Sequence, residues 1–508
     1  MNSMKKHASA LIIVIFVMSS ACINVSSRDI VEHFELYFKI ESSEEVFKVH
    51  SLELYIENLT LGNFSFGSIV VDDVVSPVKA FNMSKMEKGE YTLSFRVTGR
   101  IVDASNTTHR ISESLSTNVK VQEGGVTIGL RIIKESENYK IKIGNIYNSP
   151  MKDEDVLLVR ASVLTKDDHR ELVEAIRENQ RLREKLLEEF NSTGNYAYYR
   201  SYIDLSYPIR AFADLGRERE LTETELKILT LTLEANNAYY SNHTSPNKSY
   251  YIVAFSNETP YEFIPKIEGK FQSKLPFVYY KGRGFYPYPV TAVNWITSYF
   301  NRRDYEKGIA LLNELDSLME VEELNGERYA LFKIYFHYRN SSIPWVSSFS
   351  QGIAAGLYAK AYNITKNETY LEKAQLLINS FELKGEEGFV INTTYGTWFL
   401  EYNFDPTFLV LNGHIITMKG LYNYYQVTGD ERALELFNEG VESVKKALKD
   451  CDAGDWSLYS VKGLRASESY HRLHIELLVW LYNTTGDRYF LEYAEKWKEY
   501  IEKKGITP

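Results

Sequence analysis

The chain has 508 residues and a formal net charge of −10, with 44% hydrophobic and 25% charged residues. This length accommodates two or three globular domains, and the composition is typical of folded rather than disordered proteins. The negative charge excludes attraction of a polyanion by the overall field, so no nucleic-acid partner is expected. Any anionic ligand requires a local basic cleft.

Residues 1–27 have the pattern of an export segment. Lys5-Lys6 form a basic region, Leu11–Val17 an apolar region, and Ser19–Cys22 a run of small residues before a cysteine. The apolar run is shorter than the ~20 residues of a membrane-spanning helix. We therefore expect an exported protein, held at the cell surface by a lipid on Cys22. Ordinary cleavage near Ala21 or an uncleaved anchor is the alternative.

The remaining cysteine and the glycosylation sequons fit an exported protein. Once Cys22 is used or removed, Cys451 is left alone, so no disulfide framework is expected. Asn-x-Ser/Thr sequons recur along the chain, for example at Asn58, Asn191 and Asn483. Their density favours a glycosylated surface protein, although an asparagine-rich chain produces some by chance.

Residues 28–148 alternate between apolar and polar side chains. Phe34–Ile40, Tyr91–Val97 and Tyr139–Ile143 all show this period of two. Alternation indicates antiparallel strands with one buried face, and the regular turns favour a β-sandwich. No catalytic group is evident here, so we interpret the domain as a spacer or a glycan-binding module.

Residues 149–289 change to helical periodicity and then to a tyrosine-rich junction. A long amphipathic helix is predicted to end near residues 191–194, followed by helices over Tyr202–Leu215 and Leu226–Asn237. Tyr250–Pro289 is predicted to be irregular or stranded.

Residues 290–508 repeat a helix-turn-helix unit. Three copies share a Thr-x-Asn/Asp turn, at Thr365–Asn367, Thr428–Asp430 and Thr485–Asp487, and a more degenerate copy is centred on Arg303–Tyr305. Such units suit an α/α toroid, with an open helical solenoid as the alternative. The predicted fold class is thus α+β and multidomain, an N-terminal antiparallel β-sandwich followed by an all-α toroid that carries the catalytic site.

Three groups of residues in the repeat region carry the candidate chemistry. In order, they are Trp345 with Gln351-Gly352, Glu401-Tyr402 with Asn412-Gly413, and Tyr459 with Tyr470-His471-Arg472-Leu473-His474-Ile475. Together, in this order and at similar spacing, they resemble the C-terminal domain of the D-glucuronyl C5-epimerases. The first 280 residues carry little of this resemblance.

The resemblance implies a uronyl C5-epimerase acting on a uronate-containing polysaccharide. Its matching acid/base positions here are Glu401, Tyr402, Tyr459 and Tyr470, with Glu401 and Tyr470 as the opposed pair. The reaction removes a proton from the carbon beside a carboxylate and returns one on the other face. It requires no metal or organic cofactor, and family resemblance suggests a homodimer.

Further positions are expected to bind substrate. Trp345 and Gln351 would line the cleft, and Asn412 would hydrogen-bond the sugar. Local positive charge is expected from three residues, Lys462, Arg465 and Arg472. Two histidines, His471 and His474, are expected to bind substrate beside them. Lys462 departs from the family, which has arginine there, and lysine lacks arginine's two-pronged grip on a carboxylate.

Two features weaken this site prediction. Neighbours on an extended strand point to opposite faces, so Glu401 and Tyr402 enter one cleft only if the backbone turns, which Asp405-Pro406 would allow. His471 and His474 could instead cap a helix or bind metal, although no third ligand is evident.

Two other functions fit the same residues. A polysaccharide lyase or hydrolase could use the same toroid, since a lyase begins with the same proton abstraction. A non-catalytic glycan-binding surface lipoprotein would need only aromatic stacking, for which the candidates are Tyr286, Tyr288, Trp398 and Trp456.

Overall fold

A computed structural model describes residues 30–40, 47–59, 69–72, 78–103, 107–121, 125–135, 138–147 and 152–505. The chain divides into two compact units, Met1–Met151 and Lys152–Pro508, and each is described by itself. The predicted export segment with Cys22 lies outside the described residues. The second unit contains residues 152–289 of the predicted 149–289 region together with the predicted repeat domain.

The described part of the first unit consists of β-strands in two sheets. The strands are β1 (Ile30–Ile40), β2 (Phe47–Leu59), β3 (Ile69–Asp72), β4 (Val78–Glu87), β5 (Gly89–Asp103), β6 (Thr108–Val121), β7 (Val126–Glu135) and β8 (Asn138–Tyr147). One sheet has the order β4-β1-β7-β8 and the other the order β3-β2-β5-β6.

The two sheets share one apolar core. Alternate residues of β5, from Tyr91 to Val97, are buried, as the period of two predicts. Phe38 of one sheet packs against Phe95 of the other, with ring centroids 4.8 Å apart. The prediction of purely antiparallel strands is wrong at one pair, because β1 and β7 run parallel. Side-chain alternation is the same in both directions, so the sequence could not reveal this.

The second unit mixes helices and strands, and five of its strands lie within residues 290–508, so the prediction that this range is all-α is wrong. Its helices are α1 (Asp153–Arg160), α2 (Lys166–Thr193), α3 (Tyr196–Glu218), α4 (Glu223–Tyr240), α5 (Pro289–Asn301), α6 (Tyr305–Leu315), α7 (Ser348–Thr365), α8 (Glu368–Asn379), α9 (Leu411–Thr428), α10 (Glu431–Ala447), α11 (Glu468–Thr485) and α12 (Arg488–Lys503). Its strands are β9 (Tyr250–Phe255), β10 (Ser273–Tyr280), β11 (Gly284–Pro287), β12 (Met319–Leu324), β13 (Glu327–Ile334), β14 (Trp345–Val346), β15 (Val390–Thr393) and β16 (Gly396–Phe399).

Helices α5 to α12 form successive hairpins, α5/α6, α7/α8, α9/α10 and α11/α12. The first helix of each hairpin contacts the first helix of the next. Helices α7 and α9 are buried over most of their surface, whereas α8, α10 and α12 bury one face and expose the other. Gly352 of α7 and Gly420 of α9 let these two backbones approach closely, since a Cβ at Gly420 would lie 2.0 Å from the Gly352 carbonyl oxygen.

The repeated Thr-x-Asn/Asp sequence builds the same turn in three hairpins. In the α9/α10 turn, the Thr428 hydroxyl donates to the carbonyl of Tyr424 (3.0 Å) and accepts from the amide of Asp430 (3.2 Å). The Asp430 carboxylate then accepts from the first amides of α10. The residue between them has a left-handed backbone, with φ of 70° at Gly429, 73° at Gly486 and 58° at Lys366. This conformation explains why glycine stands there in two of the three copies.

Replacing Lys366 by glycine is expected to stabilise the protein by about 0.5–1 kcal/mol, because glycine adopts the left-handed conformation without steric strain. Chemical denaturation measures the difference. The reciprocal control, Gly429→Ala, should destabilise by a similar amount. Equal or lower stability of Lys366→Gly would show that the lysine side chain stabilises its turn in another way.

Within the described residues, the helices are either too short or too polar to cross a membrane.

Candidate active site

The candidate acid/base residues collect at one end of the helical hairpins. Glu401 and Tyr402 lie in the segment that leads into α9. Tyr459 lies in the segment before α11, and Tyr470 lies in the first turn of that helix, whose N-cap is Ser467. The N-termini of neighbouring first helices therefore bring together residues that are far apart in the sequence.

Glu401 lies against the first turn of α9. The backbone turns directly after it, as the amide of Asp405 donates to the carbonyl of Tyr402 (3.1 Å), so neighbouring side chains are not forced to opposite faces. A Cβ at Gly413 would lie 2.4 Å from Glu401 Oε2, so only glycine leaves room for this carboxyl group. The side chain is partly exposed, but Oε2 is buried and has no hydrogen-bond partner among the described residues.

Burial raises the pKa of Glu401 to about 7. Hydrogen bonding with the hydroxyls of Tyr402 and Tyr459 lowers the pKa and so limits this increase. Glu401 therefore changes between carboxylic acid and carboxylate near neutral pH. This is the range in which a general base is most useful.

Three phenols surround this carboxyl group. Tyr459 packs edge-on against Tyr470 with ring centroids 4.8 Å apart, and the Phe408 ring lies 5.9 Å from both Tyr402 and Tyr459. Burial, followed by the negative charge of Glu401, raises the pKa of Tyr402, Tyr459 and Tyr470. The phenols are therefore neutral at neutral pH and can act as acids, whereas Glu401 can act as the base.

Four further tyrosines belong to this cluster; the sequence suggested Tyr288 only for glycan stacking, and it did not suggest the other three. Tyr338 stacks on Tyr402 with ring centroids 5.2 Å apart, and Tyr280 lies 5.8 Å from Tyr338. Tyr250 and Tyr288 each lie within 6.5 Å of Tyr280. The tyrosine-rich junction was a visible signal in the sequence, but periodicity cannot place Tyr280 of β10 beside Tyr338.

Trp345 and Gln351 do not line the cleft as predicted. Gln351 is fully buried, donates to the carbonyl of Ala330 (2.9 Å) and accepts from the amide of Phe332 (2.9 Å), so its amide ties α7 to β13. Trp345 is 2% exposed and its indole nitrogen donates to a backbone carbonyl. Its ring packs against that of Tyr402, with ring centroids 5.9 Å apart.

The three predicted cations pair with nearby carboxylates. Lys462 is 70% exposed and lies 3.4 Å from Asp450. Arg465 pairs with Asp455. Arg472 lies 2.9 Å from Glu468, one helical turn before it. Each of these three cations therefore lies beside a carboxylate outside the acid/base cluster, and its role in substrate binding stays a prediction.

His471 and His474 are buried under the loop that carries Tyr459, and neither faces a ligand as predicted. His471 Nδ1 accepts from the amide of Ser457 (3.1 Å) and lies 2.7 Å from its hydroxyl, while Nε2 donates to the carbonyl of Trp497 (3.0 Å). His474 Nδ1 lies 2.9 Å from the same hydroxyl. Burial lowers the pKa of both histidines, to about 3 for His474, so both are neutral. Ser457 therefore joins the loop to α11.

Removing the Ser457 hydroxyl is expected to destabilise the protein by about 1–3 kcal/mol, because Ser457→Ala leaves a buried imidazole without a partner. Tyr459, two residues further on, should lose its fixed position, so activity should fall as well. Denaturation and activity assays test both effects. The exposed Ser469→Ala is the control, and equal stability of the two variants would contradict this role.

Asn412 remains beside the acid/base cluster. It is 3% exposed, adjoins Gly413 in the first turn of α9, and its Oδ1 has no hydrogen-bond partner among the described residues. A buried acceptor without a donor is unfavourable, which suits a position that meets a ligand hydroxyl.

The residues suggested for aromatic stacking are buried. Trp398 is fully buried and stacks on His414, and Trp456 is 6% exposed and stacks on His471. Tyr286 is 1% exposed, and Tyr288 belongs to the tyrosine cluster. No group of three or more His, Cys, Asp or Glu side chains in the described ranges is arranged to hold a metal ion.

Comparison with known proteins gives the family. The sequence profile of the D-glucuronyl C5-epimerase C-terminus matches residues 326–499, which include all four candidate acid/base residues. The chain belongs to the D-glucuronyl C5-epimerase family. The resemblance inferred from the sequence is thereby confirmed. Members of the D-glucuronyl C5-epimerase family are isomerases, so the chain is placed among the carbohydrate-modifying enzymes.

Two relatives show how far the similarity extends. An uncharacterised protein of Methanocaldococcus jannaschii is 35% identical over 210 residues, which are 39% of this chain and 68% of that protein. The D-glucuronyl C5-epimerase of Caenorhabditis elegans is 28% identical over 180 residues, 32% of this chain. The match spans 29% of the nematode epimerase, well under two thirds of its length.

Solved structures are more distant. A sugar epimerase from a ruminal bacterium is 14% identical, covers 42% of this chain and 58% of its own, and gives a TM-score of 0.32. The GH76 α-mannanase of Bacteroides thetaiotaomicron is 18% identical, with 42% and 59% covered and a TM-score of 0.30. Scores this low support no conclusion about this chain.

Proposed function

We propose that the protein is a uronyl C5-epimerase that acts on an extracellular or cell-surface polysaccharide, using an α/α toroid as its catalytic scaffold. The observation that carries the proposal is the Glu401 carboxyl group, whose pKa is raised to about 7 by burial and which lies among neutral phenols. A base near neutrality beside acids that keep their protons is the combination that epimerisation requires.

Each group has a defined role in the proposed reaction. The Glu401 carboxylate takes the proton from C5, and the electron pair of the broken C–H bond moves into the neighbouring carboxylate to give an enediolate. The Tyr470 hydroxyl then donates its proton to the opposite face of C5, which forms the new C–H bond. Glu401 is left protonated and Tyr470 as a phenolate, and exchange with solvent restores both. Tyr402 and Tyr459 donate hydrogen bonds to the developing charge.

The proposal includes the cellular setting expected from the sequence. Export, anchoring at Cys22 or through an uncleaved segment, glycosylation and a homodimer fit a surface polysaccharide as substrate. Fractionation of cells expressing the full chain tests the location, and recovery of the protein only from the soluble intracellular fraction would contradict it.

The reaction is tested by incubating the purified full-length protein with glucuronate- and iduronate-containing polysaccharides in deuterated water. Deuterium at C5 of intact chains is the expected result. Rising ultraviolet absorbance from a new double bond would instead identify a lyase. Binding without either signal would favour a glycan-binding protein, and no effect on any polymer would overturn the proposal.

A further inference from the structure

The acid/base cluster contacts one cation that the sequence did not suggest, Arg339. Its guanidinium carbon lies 4.3 Å from the centroid of the Phe408 ring. That ring lies 5.9 Å from both Tyr402 and Tyr459. Arg339 therefore lies over the aromatic ring that joins two of the candidate catalytic phenols.

The guanidinium group of Arg339 is available to a ligand. The side chain is 47% exposed, and its closest carboxylate is Asp405, at 3.9 Å between Nη1 and Oδ2. This separation is too long for a hydrogen bond, and the described part of the chain shows no other ion pair of this side chain. Asp405 thus orients the arginine without occupying its fork of N–H donors.

The backbone holds Arg339 in a fixed turn. The amide of Ser341 donates to the carbonyl of Tyr338 (3.0 Å), and the Ser341 hydroxyl accepts from the amide of Tyr338 (2.9 Å). His337 Nδ1 donates to the carbonyl of Ser341 (2.7 Å). Arg339 has φ of 52°, a left-handed conformation that is unfavourable for a residue with a side chain. Such conformations persist where the surroundings enforce them, and they are frequent at ligand-binding sites.

We infer that Arg339 binds the carboxylate of the uronyl residue whose C5 is to be deprotonated. A guanidinium group meets a carboxylate through two parallel hydrogen bonds, which lysine cannot form. Positive charge at the carboxylate also stabilises the enediolate, to which the neutral phenols contribute hydrogen bonds but no charge. This inference rests on the proposed function. A sulfate ester on a neighbouring sugar offers similar anionic oxygens, so the two sources must be separated by experiment.

The experiment compares the binding of full-length Arg339→Gln and wild type to three polysaccharides. These are a sulfated uronate polymer, the same polymer with its carboxyl groups reduced to alcohols, and the same polymer without sulfate. Arg339→Gln is expected to bind both uronate polymers at least tenfold more weakly, while its binding to the carboxyl-reduced polymer stays at the wild-type level. Arg339→Lys should recover only part of the loss. Isothermal titration calorimetry gives the affinities.

The control is Arg328→Gln, since Arg328 is 56% exposed and lies 3.5 Å from Glu372 of α8. Thermal unfolding of each variant shows whether it folds. Wild-type affinity of Arg339→Gln for the uronate polymers overturns the inference. An equal loss of affinity for the carboxyl-reduced polymer also overturns it. So does a loss of affinity that depends on the sulfate groups and not on the carboxylates.

The inference and the proposed function can fail separately. If the wild-type protein binds uronate through Arg339 but never exchanges the C5 proton, the inference about Arg339 holds and the proposed function is overturned. If Arg339→Gln exchanges the C5 proton with an unchanged KM, the proposed function is supported and the inference about Arg339 is overturned. A wild-type protein that binds no uronate polymer would overturn both.

Discussion

Glu401→Gln is expected to exchange the C5 proton about 100- to 10,000-fold more slowly than the wild type, the usual contribution of a positioned general base. Glutamine keeps the size and burial of the side chain but cannot accept the proton. In the wild type, activity should rise as pH increases through about 7, where Glu401 becomes a carboxylate. The phenols should not limit the rate in this range, since their pKa values are raised. Exchange in deuterated water across pH 5–9 measures both effects.

Stability provides the control for Glu401→Gln. The native state holds the Glu401 proton more tightly than the unfolded state, because its pKa is raised from 4.5 to about 7. Ionisation therefore weakens the wild type as pH rises from about 4.5 to about 7, and glutamine avoids this loss. The variant should unfold at a higher temperature than the wild type at pH 8 and at a similar temperature at pH 4. An inactive variant that is less stable at pH 8 would indicate misfolding and not loss of a base.

Gly420→Ala is expected to destabilise the protein by about 3 kcal/mol, at the upper end of the usual range for overpacking. The new methyl group would lie 2.0 Å from the Gly352 carbonyl oxygen and 2.5 Å from the Ile353 amide nitrogen. Both are backbone atoms of a buried helix, so α7 and α9 must separate. Chemical denaturation gives the change in the free energy of unfolding.

Gly440→Ala is the matched control for Gly420→Ala. Here the added methyl group would meet only side chains, Met418 at 2.8 Å and Phe399 at 3.2 Å, which can shift more easily than a helix backbone. Its cost should therefore stay at about 1 kcal/mol, the lower end of the usual range for overpacking. If both variants were equally stable, the close approach of α7 and α9 would not be a constraint on the fold.

The hairpins could be predicted because their information is local. The Thr-x-Asn/Asp turns are closed by hydrogen bonds within a few residues, and Thr365, Thr428 and Thr485 repeat the same contacts. Glu401, Tyr402, Tyr459 and Tyr470 were predicted because their spacing resembles that of a family. The structure brings them together because the first two precede α9, Tyr459 precedes α11 and Tyr470 lies in its first turn.

The rest depended on partners that are distant in the sequence. A surface arginine pairs with whichever carboxylate the fold places near it, so nothing in the sequence separated Arg465, held by Asp455, from Arg339 beside the cluster. Gln351 was expected to line the cleft, but its amide bonds to backbone groups of β13. Tyr280 reaches the cluster from a strand that ends more than a hundred residues before Glu401.

The turns that join the two helices of each hairpin lie at the opposite ends of those helices from the segments that carry Glu401, Tyr402 and Tyr459. The connections within hairpins therefore stabilise the helices, and the connections between hairpins carry the candidate acid/base residues. Insertions between β16 and α9, or between α10 and α11, can alter the surroundings of the candidate acid/base residues while the hairpins keep their own contacts. Divergence within such a family should accordingly be fastest at one end of the helices, and grafting those segments between relatives would test whether they determine specificity.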